Sequence, residues 1–266
     1  MSVKAPRPYY VPIANEEQVF KAAFHQGLSV VLKGPTGCGK TRFVEAMAHD
    51  LDRPLITVSC HDDLTTADLV GRFLLRGGDT EWVDGPLTRA VRDGAICYLD
   101  EVVEARQDTT VVLHPLADHR RQLPIERLGI TLAAAPGFCL VVSYNPGYQS
   151  VLKDLKDSTR QRMVAIEFGF STPDVEEKIV ANEAGIGHDR AAELVRLGQA
   201  IRRLETGGLR EVASTRVLIS AGQLIGQGLP PREAARAAIA GPLTDDSTVT
   251  RGLIEMIDAY LVDQPA

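Results

Sequence analysis

The sequence predicts an α/β fold: a five-stranded parallel sheet lies between helices, two β-hairpins are inserted into it, and a small all-helical lid domain follows. Five short apolar stretches rich in β-branched residues alternate with helical segments over the first 170 residues. A glycine-rich loop joins the first stretch to a helix. Beyond Pro173 every segment is helical in pattern, with Gly or Pro between segments. We therefore expect one domain over residues 1–170 and a second over 171–266.

The composition is that of an ordinary globular protein, with 266 residues, 44% hydrophobic and 24% charged, and a net charge of −6. This acidic balance argues against a protein that coats nucleic acid. No apolar run approaches the roughly 20 residues of a membrane span, and the N-terminus lacks the apolar region of a signal peptide. The four cysteines are scattered, which is typical of reduced thiols. We expect a cytoplasmic protein without a membrane span or a nucleic-acid partner.

The loop after the first predicted strand, Leu28–Lys33, has the spacing G-x-x-x-x-G-K-T. This is the phosphate-binding P-loop: glycines let the backbone wrap around phosphate oxygens, and amides at the next helix N-terminus point at the anion. Lys40 would bring its charge to the β- and γ-phosphates of ATP, and Thr41 its hydroxyl to Mg²⁺. The predicted nucleotide contacts are Gly34, Pro35, Thr36, Gly37, Cys38, Gly39, Lys40 and Thr41.

The segment before the P-loop contains a predicted helix, Glu16–His25, with Asn15 as its N-cap and Gly27 at its end. Tyr9 and Tyr10 precede this helix. They either line the pocket for the nucleotide base or form part of a packed N-terminal strap.

A second strand, Pro54–Ser59, is followed by His61, Asp62 and Asp63. These side chains invite a metal-site interpretation, but nothing nearby has ligand spacing. An Asp or Thr ahead of a helix that begins near Leu64 is typical of helix capping, which we favour.

Two β-hairpins interrupt the alternation of strands and helices. The first pairs Arg72–Arg76 with Glu81–Asp84 across a Gly-Gly turn, and the second pairs Arg121–Glu126 with Ile130–Ala134. Between them we expect a helix over residues 86–92 and a mostly helical segment over 102–119, with Pro115 as a kink or break.

The third strand, Ala95–Leu99, ends in Asp100 and Glu101. An apolar strand that terminates in two carboxylates is the Walker B pattern, which is specific here because a P-loop lies upstream. Successive side chains at a strand end point differently, so Asp100 can face Mg²⁺ while Glu101 faces the water that attacks the γ-phosphate. The pair predicts hydrolysis as well as binding.

The fourth strand, Phe138–Tyr144, ends at Asn145. An asparagine next to the Walker B strand can bind the attacking water or a γ-phosphate oxygen; the alternative is an ordinary Asn-Pro turn. The fifth strand is Met163–Phe168, and Thr172 is expected to cap the next helix, with Pro173 at its first position. The remaining predicted helices span 173–184, 189–206, 214–227, 231–240 and 247–262.

These motifs together resemble the AAA+ ATPases, and more narrowly the MoxR group and its CbbQ/NorQ/NirQ family. The resemblance extends over roughly residues 9–262. The segments that carry it are 32–45, 60–64, 95–106, 143–150, 158–162, 213–216 and 242–246.

The resemblance implies a homo-hexameric ring with ATP bound between subunits and both hairpins lining the central pore, where they engage a client. It implies that Arg162 is the arginine finger that reaches the neighbour's γ-phosphate, with Arg160 as the alternate. It further implies that Arg216 acts on the nucleotide from the lid.

Two kinds of client are implied by the family, and the sequence is most like CbbQ. CbbQ proteins act with a CbbO-like partner that carries a von Willebrand factor A domain, and they reactivate Rubisco by releasing tight-binding sugar phosphates. NorQ and NirQ proteins act with a NorD-type partner on nitric oxide or nitrite reductase, in cofactor insertion or maturation. An alternative of another class is a nucleotide-binding scaffold without turnover. A GTPase is disfavoured because no N-K-x-D motif is present.

Overall fold

A computed structural model of the protein describes residues 6–146, 157–204 and 212–263. The chain divides into two compact units. The first comprises Met1–Pro8, Ala14–Pro35 and Lys40–Phe168, and the second comprises Tyr9–Ile13, Thr36–Gly39 and Gly169–Ala266. Residues 147–150, which belong to one of the segments that carry the resemblance, and the last two residues of the predicted helix 189–206 lie outside the described residues.

The centre of the first unit is a parallel sheet of five strands, which confirms the predicted α/β fold. Its three inner strands are buried along nearly their whole length, which explains their continuous apolar sequences. The strands are β1 (Ser29–Lys33), β2 (Leu55–Ser59), β5 (Ile96–Asp100), β8 (Cys139–Tyr144) and β9 (Met163–Glu167).

The spatial order of the strands is β2-β5-β8-β1-β9. The strand before the P-loop, β1, therefore lies between β8 and β9. The Walker B strand, β5, lies on the other side of β8. Asp100 lies opposite Ser59 on one side, and Leu99 lies opposite Val142 on the other. Because all five strands run in the same direction, the P-loop, Asp100 and Asn145 meet at the carboxyl edge of the sheet.

Both predicted hairpins are present. The first consists of β3 (Gly71–Arg76) and β4 (Asp79–Asp84) around Gly77 and Gly78. Both turn glycines have positive φ angles, of 59° and 95°, which suits the two-residue turn of a twisted hairpin. The second consists of β6 (Gln122–Ile125) and β7 (Ile130–Ala133), joined by a 3₁₀ turn.

Helices cover both faces of this sheet or lead into the hairpins. Thr65 caps α3 with a complete capping box: its hydroxyl accepts from the Asp68 amide, and the Asp68 carboxylate accepts from the Thr65 amide. The capping interpretation of this segment is therefore confirmed. The helices up to here are α1 (Glu16–His25), α2 (Lys40–Asp50), α3 (Thr66–Val70) and α4 (Pro86–Asp93).

Residues 102–119 are mostly helical, as predicted, but the segment is broken into several short turns. The segment is four short turns: a 3₁₀ turn at Val102–Glu104, α5 (Gln107–Thr110), a second 3₁₀ turn at Val111–Leu113 and α6 (His114–Ala117). Pairs of β-branched valines disfavour regular helix here. Pro115 lies in the first turn of α6, where a missing backbone N–H costs nothing, so it starts a helix.

The second unit is helical, as expected. One of its predicted helices, 231–240, is interrupted: α11 passes through a π-helical turn at Arg236–Ala240 into a further turn that contains Pro242. None of the helices that the structure describes has the length and apolar character needed to span a bilayer. The remaining helices are α7 (Asp157–Arg160, in the first unit), α8 (Pro173–Ala184), α9 (His188–Arg203), α10 (Thr215–Gly226), α11 (Pro231–Ala235), α12 (Gly241–Leu243) and α13 (Ser247–Tyr260).

A buried ion pair lies inside the second unit. Arg202 donates to both carboxylate oxygens of Glu176, at 2.8 and 2.6 Å, and the Thr215 hydroxyl donates to the same carboxylate at 2.6 Å. The Arg202 guanidinium also lies 3.9 Å from the ring centroid of Phe170. Glu176 thus ties α8, α9 and the start of α10 together.

Replacing Glu176 with Ala is expected to lower the free energy of unfolding by about 3–5 kcal/mol, because it leaves the Arg202 charge buried without its counter-ion. Urea denaturation followed by circular dichroism measures this change. The matched control is Glu177→Ala, one residue further along, where a half-exposed carboxylate pairs with His188 and the expected loss is about 1 kcal/mol or less. Equal losses for the two variants would contradict the prediction.

Candidate active site

The P-loop occupies residues 34–39, between β1 and α2. Lys40 is buried, and its ammonium donates to the carbonyl oxygens of Gly34 at 2.8 Å and Pro35 at 2.9 Å. A Cβ atom at Gly34 would lie 2.4 Å from the carbonyl oxygen of Phe168, so only glycine fits this close approach. The loop therefore holds its lysine charge among neutral oxygens, where an anionic phosphate oxygen would be a stronger partner.

The tip of the loop belongs to the second unit. A Cβ atom at Gly37, whose φ is 72°, would lie 2.6 Å from Cβ of Ser214 and 3.5 Å from Cβ of Arg216. Arg216 itself is an exposed residue in the first turn of α10. The structure therefore places this predicted site arginine beside a P-loop glycine.

The Walker B carboxylate Asp100 accepts two hydrogen bonds on one oxygen. Tyr98 donates its phenol proton to Oδ1 at 2.7 Å, and Ser143 donates its hydroxyl proton to the same atom at 2.5 Å. Tyr98 and Asp100 are two positions apart on β5 and share a face, while Ser143 is on the neighbouring strand β8. The Thr41 hydroxyl of the P-loop lies 3.5 Å from the Tyr98 hydroxyl. This contact brings the two predicted Mg²⁺ ligands to the same hydroxyl group.

Glu101 has a left-handed backbone conformation, with φ 56° and ψ 46°. For a residue with a side chain this conformation costs roughly 1–2 kcal/mol. Its amide donates to Oγ of Ser143 at 3.1 Å, and its carbonyl accepts from the Glu104 amide at 2.8 Å. Because of this turn, the chain leaves the direction of β5 directly after Asp100.

Asn145 is a buried polar residue, 8% exposed, directly after β8. The Gly34 amide donates to the carbonyl oxygen of Tyr144 at 3.2 Å, so the first residue of the P-loop is fixed to the residue before Asn145. The structure thus brings Lys40, Thr41, Asp100, Glu101 and Asn145 together at one edge of the sheet.

Arg160 and Arg162 lie elsewhere. Both are half-buried and directly precede β9, whose first residue Met163 is paired with Ser29. They are therefore at the amino edge of the sheet, and a five-residue strand, about 13 Å long, separates that edge from the P-loop. The buried Thr159 hydroxyl contacts Nε2 of His114 at 2.7 Å, and the Arg162 amide donates to the Thr159 carbonyl oxygen. The arginine segment is thus anchored to α6.

The atoms available for a cation fit Mg²⁺. The Thr41 hydroxyl and the Asp100 carboxylate supply hard oxygen ligands, which Mg²⁺ prefers and commonly takes together with phosphate oxygens and water. No group of three or more His, Cys, Asp or Glu side chains suited to a metal occurs among the described residues, so His61, Asp62 and Asp63 form no such site there.

The four cysteines are buried free thiols. Burial raises the pKa of Cys60, Cys97 and Cys139 to about 12, so these groups remain protonated near neutral pH. They are structural residues of the sheet region, as their sequence context predicts.

Sequence reasoning missed Tyr98 and Ser143. Each is a hydroxyl residue two positions before a predicted site residue, Asp100 and Asn145, in an otherwise apolar strand. Side chains two apart share a face of the sheet, so this spacing was the available signal.

Comparison with known protein families gives two matches. Residues 29–163 match the AAA domain of the dynein-related subfamily, and residues 176–260 match the CbbQ/NirQ/NorQ C-terminal family. The two matches together cover both the sheet region and most of the helical region.

Three similar proteins cover nearly the whole chain. The denitrification regulatory protein NirQ of Stutzerimonas stutzeri is 60% identical over 94% of this chain and 91% of its own length. Protein NorQ of Paracoccus denitrificans is 60% identical, covering 95% and 93%. Protein CbbQ of Hydrogenophilus thermoluteolus is 55% identical, covering 90% of both chains.

Solved structures show the same fold at low identity. A variant of Thermotoga maritima RuvB superimposes with a TM-score of 0.58 and 16% identity, covering 95% of this chain and 73% of that one. At this identity the likeness concerns the fold alone.

Proposed function

Since this chain belongs to the CbbQ/NirQ/NorQ family of AAA+ ATPases, we propose that it works as an ATP-driven motor that remodels a client enzyme. The chain is an ATPase. The observation that supports a hydrolytic motor best is the convergence of Lys40, Thr41, Asp100, Glu101 and Asn145 at the carboxyl edge of one sheet.

The proposed hydrolysis assigns one task to each of these residues. Lys40 exchanges its carbonyl partners for oxygens of the β- and γ-phosphates. Thr41 and Asp100 would hold Mg²⁺, which when bound offsets charge on the phosphate oxygens. Glu101 takes a proton from the attacking water, and Asn145 orients that water. The backbone of residues 34–41 cradles the phosphates.

The position of Arg160 and Arg162 supports a site shared between subunits. A side chain at the amino edge of the sheet does not reach the P-loop of its own chain, but it is suited to reach that of a neighbour in a closed ring. We propose Arg162 as the residue that acts in trans, with Arg160 as the alternate, in a homo-hexamer.

Residues 1–170 are proposed as the nucleotide-binding domain and residues 171–266 as the helical lid domain. Arg216, in the second domain, is proposed to meet the γ-phosphate. The first hairpin, which exposes Phe73 and Leu75, is proposed to engage the client.

The proposed client is a denitrification reductase, approached with a NorD-type partner. Relatives named as denitrification regulatory proteins are 58–60% identical to this chain, and protein NorQ is 60% identical. Rubisco with a CbbO-like partner is the second candidate, supported by the 55% identity to protein CbbQ. The relatives do not single out Rubisco.

We expect the purified chain, with ATP and the matching partner, to activate the denitrification reductase and not Rubisco. Nitric oxide reductase activity and the activity of sugar-phosphate-inhibited Rubisco are measured in parallel. Lys40→Ala removes the positive charge that would bind the phosphates of ATP, so this variant should lose the activation entirely. Activation of Rubisco alone would replace the first client by the second. Activation of either by Lys40→Ala at the wild-type level would contradict the motor itself.

A further inference from the structure

Two hydroxyl groups, those of Tyr98 and Ser143, donate to the Walker B carboxylate, and a third, that of Thr41, lies near the first of them. The Tyr98 hydroxyl lies 2.7 Å from Oδ1 of Asp100, 3.2 Å from Oγ of Ser143 and 3.5 Å from Oγ1 of Thr41. Tyr98 and Ser143 are both wholly buried. The phenol thus touches the P-loop threonine, the β5 carboxylate and the β8 serine.

The protons of this cluster can be assigned without conflict. The Tyr98 phenol has a single proton, which it donates to the carboxylate. Ser143 donates to the same Oδ1 and accepts from the Glu101 amide. Among the described residues, both donors to Asp100 use Oδ1. Oδ2 can therefore still bind a cation or accept a hydrogen bond from water bound to that cation.

Ser143 connects the two carboxylate residues. Its hydroxyl oxygen fixes the amide of Glu101, the residue whose backbone turns into the left-handed region, while its proton fixes Asp100. Ser143, on the strand next to β5, therefore contacts the side chain of Asp100 and the backbone of Glu101 with one hydroxyl.

We propose that Tyr98 and Ser143 are positioning residues for ATP hydrolysis, which hold Asp100 and Glu101 in register with Thr41. Tyr98 orients the carboxylate of Asp100, which would bind the cation. Ser143 orients the same carboxylate and also holds the backbone of Glu101, which would activate the water. The inference rests on the roles proposed above for Asp100 and Glu101. Neither hydroxyl contacts the reacting atoms, so each acts through its neighbour.

The test compares Tyr98→Phe with Tyr144→Phe. Both remove one hydroxyl from a buried tyrosine of the central sheet, but only Tyr98 contacts Asp100. ATPase rates are measured against Mg²⁺ concentration at saturating ATP, and binding of a fluorescent ATP analogue is measured in EDTA. Mutation of a residue that hydrogen-bonds a metal ligand typically lowers metal affinity or activity by about 10- to 100-fold. We therefore expect Tyr98→Phe to raise the half-saturating Mg²⁺ concentration about tenfold. Its binding of nucleotide in EDTA and its thermal midpoint should match those of Tyr144→Phe.

Ser143→Ala is expected to raise the half-saturating Mg²⁺ concentration and also to lower kcat, because it releases Glu101 as well. The double variant should lose less than the product of the two single effects, since both hydroxyls act on the same Oδ1. Unchanged Mg²⁺ dependence in Tyr98→Phe, or an equal shift in Tyr144→Phe, would overturn the inference.

Asp100→Asn separates this inference from the proposed function. If Asp100→Asn shifts the Mg²⁺ dependence and Tyr98→Phe does not, the positioning role fails while the role of Asp100 stands. If Asp100→Asn leaves the dependence unchanged, the proposed role of Asp100 fails, and the positioning role fails with it.

Discussion

Arg162→Ala is expected to bind ATP normally and to lose hydrolysis almost completely. An arginine that stabilises transition-state charge from a neighbouring subunit is worth on the order of 10³–10⁵ in turnover. ATP binding should persist because Lys40 and the loop amides belong to the same chain as the bound phosphates. Steady-state ATPase rates and nucleotide dissociation constants measure the two properties separately. Arg196→Ala, which removes an exposed arginine of α9, is the control and should keep its activity.

A mixing experiment shows whether the arginine acts in trans. Subunits with Arg162→Ala keep an intact P-loop side, and subunits with Glu101→Gln keep an intact arginine side. In randomly mixed rings about one quarter of the interfaces combine the two intact halves, so activity should return in the mixture. Wild-type activity of the Arg162→Ala ring would transfer the role to Arg160, and Arg160→Ala is then tested in the same way. An inactive Arg162→Ala ring whose activity does not return on mixing would contradict action in trans.

Glu101→Gln is expected to trap ATP. The substitution keeps the size and hydrogen-bonding shape of the side chain but removes the basic oxygen, and loss of a general base typically lowers the rate by about 10²–10⁴. The backbone at Glu101 is held by Ser143 and Glu104, so the turn should survive the change. Single-turnover hydrolysis and the release rate of bound ATP are the measurements.

The control for this variant is Glu104→Gln, which alters a carboxylate one turn further along the chain. It should hydrolyse ATP close to the wild-type rate. Rapid turnover by Glu101→Gln would remove Glu101 from the mechanism and leave the water to be activated by another group.

The sheet was predictable because its strands are nearly continuous apolar runs bounded by Gly or Pro, as fully buried parallel strands are. The P-loop and Asp100-Glu101 were predictable because their chemistry depends on local spacing. The breaks in the segment after Glu101 were not, because its helical periodicity carries no sign of the left-handed turn that starts it. There, tertiary contacts override local pattern.

The order of the strands in the sheet could not be predicted from the sequence either. The contact between Tyr98 and Ser143 exists only because β8 lies beside β5 in the observed register, and a sequence shows no register between strands 40 residues apart. The same holds for Arg162: its place at the amino edge follows from the parallel pairing of β9 with β1. Roles that depend on which strands are neighbours therefore needed the structure.

The order of the strands also bears on how the chain is made. β1 pairs with β8 and β9, which follow it by about 110 and 130 residues. During synthesis one edge of this apolar strand therefore stays open until residue 144 has emerged, and the other until residue 167 has emerged. Unpaired strand edges attract other chains, so shortened chains that end before β9 are a hazard for aggregation. Lys33, directly before the P-loop, accepts a hydrogen bond from the Phe168 amide, and Gly34, the first residue of the loop, lies against the Phe168 backbone. A nascent chain therefore has no finished nucleotide site, and ATP stabilises only molecules in which the sheet is complete.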